Sequence, residues 1–191
     1  GSKVTIVSPS SLVDPVIGAY TYYFAKLGGF NYISREIGEL RPYKSFYTCT
    51  DDVPGLDEYL SDIEKLSAKE SSWVITLLAA SGANEPELPS QIHLTYGGKK
   101  GDASLEAPTV VIRDKETATA MFENMENILE SEYGIKADRQ KYHDSAGPNL
   151  FMRKLSNAGS VNGLIIRIAW SCMYWDSRRI KIAQSMADII K

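Results

Sequence analysis

The chain carries two histidines, His93 and His143, and two cysteines, Cys49 and Cys172, so metal or nucleophilic chemistry has few side chains to draw on. A catalytic zinc takes three N, O or S ligands and keeps one position open for water. A site here would need both histidines plus carboxylates brought in from elsewhere. His143-Asp144 offers two adjacent donors, but His93 falls in Ile92-His93-Leu94-Thr95-Tyr96, which alternates like a strand, and nothing in the sequence brings the two together. The cysteines form neither a CxxC pair nor a disulfide framework and read as two separate buried thiols. The expectation is no metal site and no cofactor.

Nucleophilic catalysis fares no better. Ser11 follows a strand-like run, and His143 and Asp144 would supply a base and its orienter. The GxSxG turn that exposes a serine nucleophile is missing, however, and a His beside an Asp in sequence is no evidence of triad geometry. We assign no catalytic residue. Gly97-Gly98-Lys99-Lys100-Gly101-Asp102 is rich in backbone amides that could cradle a phosphate, yet it lacks the GxxxxGK[ST] pattern and a following helix, so it reads as a connection between strands. The group with most to offer comes late: Arg167, Trp170, Tyr174 and Trp175. A guanidinium pairs with a carboxylate through two hydrogen bonds, and aromatic faces stack on apolar sugar surfaces, which is binding chemistry. The competing reading puts Trp170 in the core and Arg167 in an ion pair with an acid such as Asp14.

The elements that must position these residues follow from the hydrophobic pattern. Val4-Thr5-Ile6-Val7 predicts a first strand that breaks at Ser8-Pro9-Ser10-Ser11, and Gly18 to Leu27 a helix ending at Gly28-Gly29. Ser45-Phe46-Tyr47-Thr48 is a second strand candidate. Leu56, Tyr59, Leu60, Ile63 and Leu66 share one helical face. Trp73 to Leu78 is apolar on both sides, as the centre of a parallel sheet requires. Ile92–Tyr96 and Thr109–Ile112 predict further strands, with a turn-rich stretch from Ser81 to Pro89 before them. Asp114 caps a helix with Ala118, Met121, Phe122, Met125, Ile128 and Leu129 on one face, ending near Gly134. Leu164-Ile165-Ile166 with Ile168 forms a late strand, and Asp176 caps a last helix whose Ile180, Ala183, Ala187 and Ile190 face inward. The expected fold is a three-layer α/β sandwich, a mostly parallel sheet between helices, built as one domain over residues 1–191.

Seven stretches stand in a suggestive order: Val4-Thr5-Ile6-Val7 leading into Ser8-Pro9-Ser10-Ser11-Leu12-Val13, then Thr48-Cys49-Thr50-Asp51-Asp52, then Thr76-Leu77-Leu78-Ala79-Ala80-Ser81. Asp138-Arg139, Asn149-Leu150-Phe151-Met152-Arg153, Leu164 to Asp176, and Ile182-Ala183-Gln184-Ser185-Met186-Ala187 follow. In order and spacing they resemble the zinc-dependent N-acetylmuramoyl-L-alanine amidases of the amidase-3 type, which cleave between the glycan and the peptide stem of bacterial cell wall. The corresponding family patterns are a DPGHGG-like loop, a TRTxD-like turn, SIHxNA, a DRG-like turn, NFxVLR, LxExGFxxNxxD and a helix rich in IAxxIA. The last 45 or so residues carry most of the likeness.

The resemblance implies the scaffold of these enzymes without their chemistry. It places the first zinc histidine on Ser11, the second on Leu78, the ligand glutamate of the first helix near Tyr22 and the catalytic glutamate on Arg167. Serine, leucine and tyrosine do not make a zinc site, and a guanidinium cannot act as general base near neutral pH and repels a cation. The implied protein is an inactive amidase-like domain that binds or assembles at the cell envelope, through peptidoglycan fragments or a partner protein. Its former cleft would be lined by Ser11, Arg167, Trp170 and Trp175.

Size and charge are compatible with this. At 191 residues, 43% hydrophobic and 24% charged, the chain can bury a substantial core. A net charge of −3 gives no general affinity for nucleic acid, and no apolar run approaches the roughly 20 residues of a membrane span. Gly1-Ser2 has the look of a cloning remnant, so a leader or anchor ahead of it stays open.

Overall fold

The structure is a computed structural model that describes residues 1–9, 15–34, 55–80, 91–97, 104–106, 110–139, 161–173 and 176–191. In chain order these form β1 (Val4–Ser8), α1 (Pro15–Gly28), β2 (Asn31–Ser34), α2 (Leu56–Leu66), β3 (Trp73–Ala80), β4 (Ile92–Thr95), α3 (Lys115–Tyr133), β5 (Ala137–Arg139), β6 (Asn162–Ala169), a 3₁₀ turn (Trp170–Cys172) and α4 (Asp176–Ile190). The six strands make one sheet in the order β2-β1-β3-β6-β4-β5. Strands β2, β1, β3 and β6 run parallel; β4 is antiparallel to β6, and β5 runs parallel to β4. The chain is thus a three-layer α/β sandwich with a mostly parallel sheet. Among the described residues no helix is long and apolar enough to cross a membrane.

Side chains alternate along each strand, so the two faces of the sheet have different cores. One face presents Val4, Ile6, Ile75, Leu77, Leu164, Ile166, Ile92 and Leu94 to the larger cluster, in which α1, α3 and α4 bury Phe24, Phe122, Met125 and Met186. On the other face α2 lays Leu56, Tyr59 and Ile63 over Val7, Val74, Leu78 and Ile165. Tyr96 and Phe122, both fully buried, stack with ring centroids 5.0 Å apart and tie the end of β4 to α3.

The helices follow their sequence signals closely. Asp114 accepts a hydrogen bond from the Thr117 amide at 3.1 Å and starts α3, whose Ala118, Met121, Phe122, Met125 and Leu129 are all buried. The helix stops at Gly134, which takes φ 62°, a left-handed conformation that only glycine adopts cheaply. Strands β3 and β6, the two longest, pair over eight residues each and form the middle of the sheet.

Several expectations are corrected. Residues 110–112 are not a strand: Val111 donates to the Tyr96 carbonyl and accepts from the Gly163 amide, so the segment fills the place beyond the end of β4 without a ladder of its own. Asp138-Arg139 lies in the short strand β5 rather than in a turn, because residues 137–139 pair in parallel with β4; the Arg139 guanidinium also meets both Glu126 carboxylate oxygens of α3 at 2.9 and 3.2 Å. The strand Asn31–Ser34 was not anticipated, and the candidate at Ser45–Thr48 lies outside the described residues. On α4 the buried residues are Ile182, Ala183, Met186, Ala187 and Ile190, so the inward stripe leaves Ile180 at its rim, 39% exposed. Leu66 is likewise exposed at the end of α2.

Candidate functional site

Strand order decides where a ligand can sit. From β1 the chain passes through α1 to β2 on one side, then returns through α2 on the opposite face to β3 on the other side. Crossovers that diverge in this way leave a crevice at the carboxyl ends of the two central strands, the usual ligand position in open α/β sheets. Here those ends are Ser8 and Pro9 after β1 and Leu78 to Ala80 on β3. The next strand, β6, ends beside them.

At that edge one register row crosses four strands. Leu78 on β3 is the Cα partner of Arg167 on β6; Arg167 is the partner of His93 on β4; His93 is the partner of Asp138 on β5. Register partners project to the same face, and this row lies on the face where α2 packs over Val7, Val74, Leu78 and Ile165. The row therefore begins apolar, under α2, and becomes polar toward β5.

The polar half is tightly built. His93 Nδ1 lies 2.7 Å from Asp138 Oδ1, and both side chains are largely withdrawn from solvent. His93 is 4% exposed, and its Nε2 has no hydrogen-bond partner among the described residues. A buried imidazole held by a carboxylate through one nitrogen, with the other left open, is oriented for a further contact. Arg167 is partly exposed beside it. Among the described residues no group of three or more His, Cys, Asp or Glu is placed to hold a metal.

Trp170 begins the 3₁₀ turn that ends β6 and is 37% exposed, so the reading that places it in the core is overturned. It stands three residues beyond Arg167 at the same edge of the sheet. Ser11, Trp175, Tyr174, Asp14, His143, Asp144 and Gly98 to Asp102 lie outside the described residues. Tyr22 is set apart from the row: it is 55% exposed on α1 and packs edge-on against Tyr32 of β2, on the other face of the sheet. The His93–Asp138 pair was not anticipated. A histidine inside an alternating strand and an acid 45 residues later gave no local signal.

Two groups beneath the same edge, on the helix-covered face, are shifted by burial. The Cys172 thiol is pushed up by desolvation. Tyr20 on α1 is raised further, first by its own burial and then by the neighbouring thiol, while Arg179 pulls the other way. Neither is poised as a nucleophile, since burial favours the neutral form. A depression of about 550 Å³ lies at the opposite edge, lined by Lys3, Trp73, Asp114, Thr117 and Lys191. Trp73 starts β3 and Leu78 lies five residues on, which separates the two places by about 16 Å at strand rise.

No protein-family model matches the chain, and no curated protein matches it. Among solved structures it is similar to isoform 2 of uridine phosphorylase from Schistosoma mansoni: the citrate complex at 10% identity and TM-score 0.44, covering 98% of this chain and 86% of that one. The apo form of the same enzyme gives 10% identity and TM-score 0.42, covering 98% and 83%. Likeness at this level says nothing about activity.

Proposed function

We propose that this chain is a non-catalytic amidase-like domain that binds an anionic cell-wall fragment, or a partner protein of the cell envelope, at the carboxyl edge of β3 and β6. The observation that carries it is the register pairing of Leu78 with Arg167. The family resemblance assigns these two positions to the second zinc histidine and the catalytic glutamate, which must face one cleft. Here they are an aliphatic group and a cation, paired in register on one face of the sheet. Such a pair cannot bind zinc or activate water, whereas a guanidinium beside the exposed Trp170 suits a carboxylate attached to a sugar or peptide. The envelope location rests on the resemblance alone.

One observation favours a second reading, an active hydrolase with a non-standard site. The His93–Asp138 pair has the form of a general base and its orienting acid. Purified protein incubated with muropeptides, with metal content measured in parallel, separates the two. The binding reading expects retention on peptidoglycan sacculi, no cleavage and no stoichiometric zinc, with retention lost in Arg167→Ala and reduced in Trp170→Ala. Cleavage by wild type that disappears in His93→Gln would replace it with the hydrolase, and retention unchanged in both cleft variants would remove the cleft.

A further inference from the structure

Resting on the cleft reading above, we infer that the ligand is held by its carboxylate, which bridges Arg167 and His93, with Asp138 acting behind the histidine as a positioning residue. Three observations converge. Arg167 and His93 are register partners across adjacent strands, so their side chains leave the same face side by side. His93 Nδ1 is engaged by Asp138 at 2.7 Å, which fixes the ring and leaves Nε2 as its only free nitrogen. That Nε2 is buried with no hydrogen-bond partner among the described residues, a costly state unless some group completes it.

The chemistry narrows the ligand. A carboxylate at Nε2 calls for a ring hydrogen there, and Asp138 on Nδ1 is the acceptor that such a ring needs on its other side. A guanidinium has five N–H donors, so Arg167 retains donors for a ligand while engaging other groups of the chain. Donors from Arg167 and from Nε2–H side by side favour an acceptor with two oxygens, and a carboxylate matches that fork.

The test uses acetyl-D-alanyl-D-alanine and its C-terminal amide, titrated into protein carrying 15N-labelled histidine, with a His143→Gln variant to assign the two imidazoles. The inference expects the acid to move the His93 ring resonances and to bind at least about tenfold tighter than the amide, since a charged hydrogen bond is at stake. His93→Gln and Asp138→Asn should each weaken the acid several-fold and leave the amide nearly unchanged. Equal binding of acid and amide, or an unmoved His93 resonance in wild type at saturation, overturns it, and the resonance measurement needs no variant to fold. If Arg167→Ala abolishes retention on sacculi while His93→Gln and Asp138→Asn bind as wild type, this inference fails and the cleft reading stands. If wild type binds neither sacculi nor the acid, both fail.

Discussion

Arg167 and His93 oppose each other as Cα partners across the antiparallel β4–β6 pair, placing two basic side chains next to one another on one face of the sheet. Asp138, one strand further out and 2.7 Å from His93, fixes the imidazole from its far side. The arrangement makes the acid part of the fold as well as of the proposed site.

The first prediction isolates that role. His93→Leu or Asp138→Leu alone leaves a largely buried partner without its hydrogen bond and should cost about 1–3 kcal/mol. The double variant removes both groups and should cost less than the sum of the singles, with a coupling of about 1–2 kcal/mol. Urea unfolding of the four proteins measures it. Additive losses would mean that the 2.7 Å contact contributes nothing net to stability.

A second prediction concerns the joint between β6 and α3. Asn162 is fully buried; its Oδ1 accepts from the Arg113 amide at 2.8 Å and the Asp114 amide at 2.9 Å. These are two donors just ahead of α3 that the helix cannot satisfy itself. Asn162→Ala removes the acceptor for both part-buried amides, and a loss of about 1–3 kcal/mol is expected. A loss below 1 kcal/mol on chemical denaturation, about what a surface substitution costs, would contradict the joint.

What could be read ahead of the structure depended on periodicity. The stripes of α2 and α3 and the two-sided apolar run of β3 are strong local patterns and were legible, although Leu60, Leu66 and Ile128 lie at the edges of their stripes rather than buried. Asp114 and Gly134 were legible too, because capping chemistry is local. Strands β2 and β5 were not: they have four and three residues, all half-buried, and carry no hydrophobic alternation. Val110-Val111-Ile112 misled in the opposite sense, since β-branched composition without a paired ladder mimics a strand. The site suffered most. Arg167, His93 and Asp138 meet only through the pairing of β6, β4 and β5, and register between distant strands is a tertiary fact.

The third prediction tests the cap. Asp114 accepts from both the amide and the hydroxyl of Thr117, at 3.1 and 2.7 Å. Asp114→Ala should destabilise by about 1 kcal/mol, the usual cost of losing an N-cap side chain. In a chain of this size that lowers Tm by about 2–4 °C. Asp114→Ser, which keeps an acceptor, should recover most of it. Calorimetry on the three proteins decides, and an unchanged Tm in Asp114→Ala would deny the cap its role.

The last prediction is an alkaline weakness centred on Tyr20. Its hydroxyl is buried without a hydrogen-bond partner among the described residues, and burial raises its pKa above the ordinary 10.0. In the unfolded chain the phenol loses its proton near pH 10; in the folded chain it keeps it. The folded state then binds more protons than the unfolded one, so stability is fully present below pH 10 and falls as pH rises beyond it. The slope is up to about 1.4 kcal/mol per pH unit for one group. Cys172, whose thiol is also raised by burial, acts in the same direction from about its ordinary value of 9.0. Tyr20→Phe keeps the ring in the core and removes the titrating group, and since the hydroxyl has no partner to lose, its stability at pH 7 should stay within about 1 kcal/mol of wild type. Urea midpoints at pH 7, 9, 10 and 11 should fall more steeply for wild type than for Tyr20→Phe, with the curves separating only above pH 10. Parallel curves would mean that Tyr20 ionises as readily folded as unfolded, and the burial argument at this edge of the sheet would be wrong.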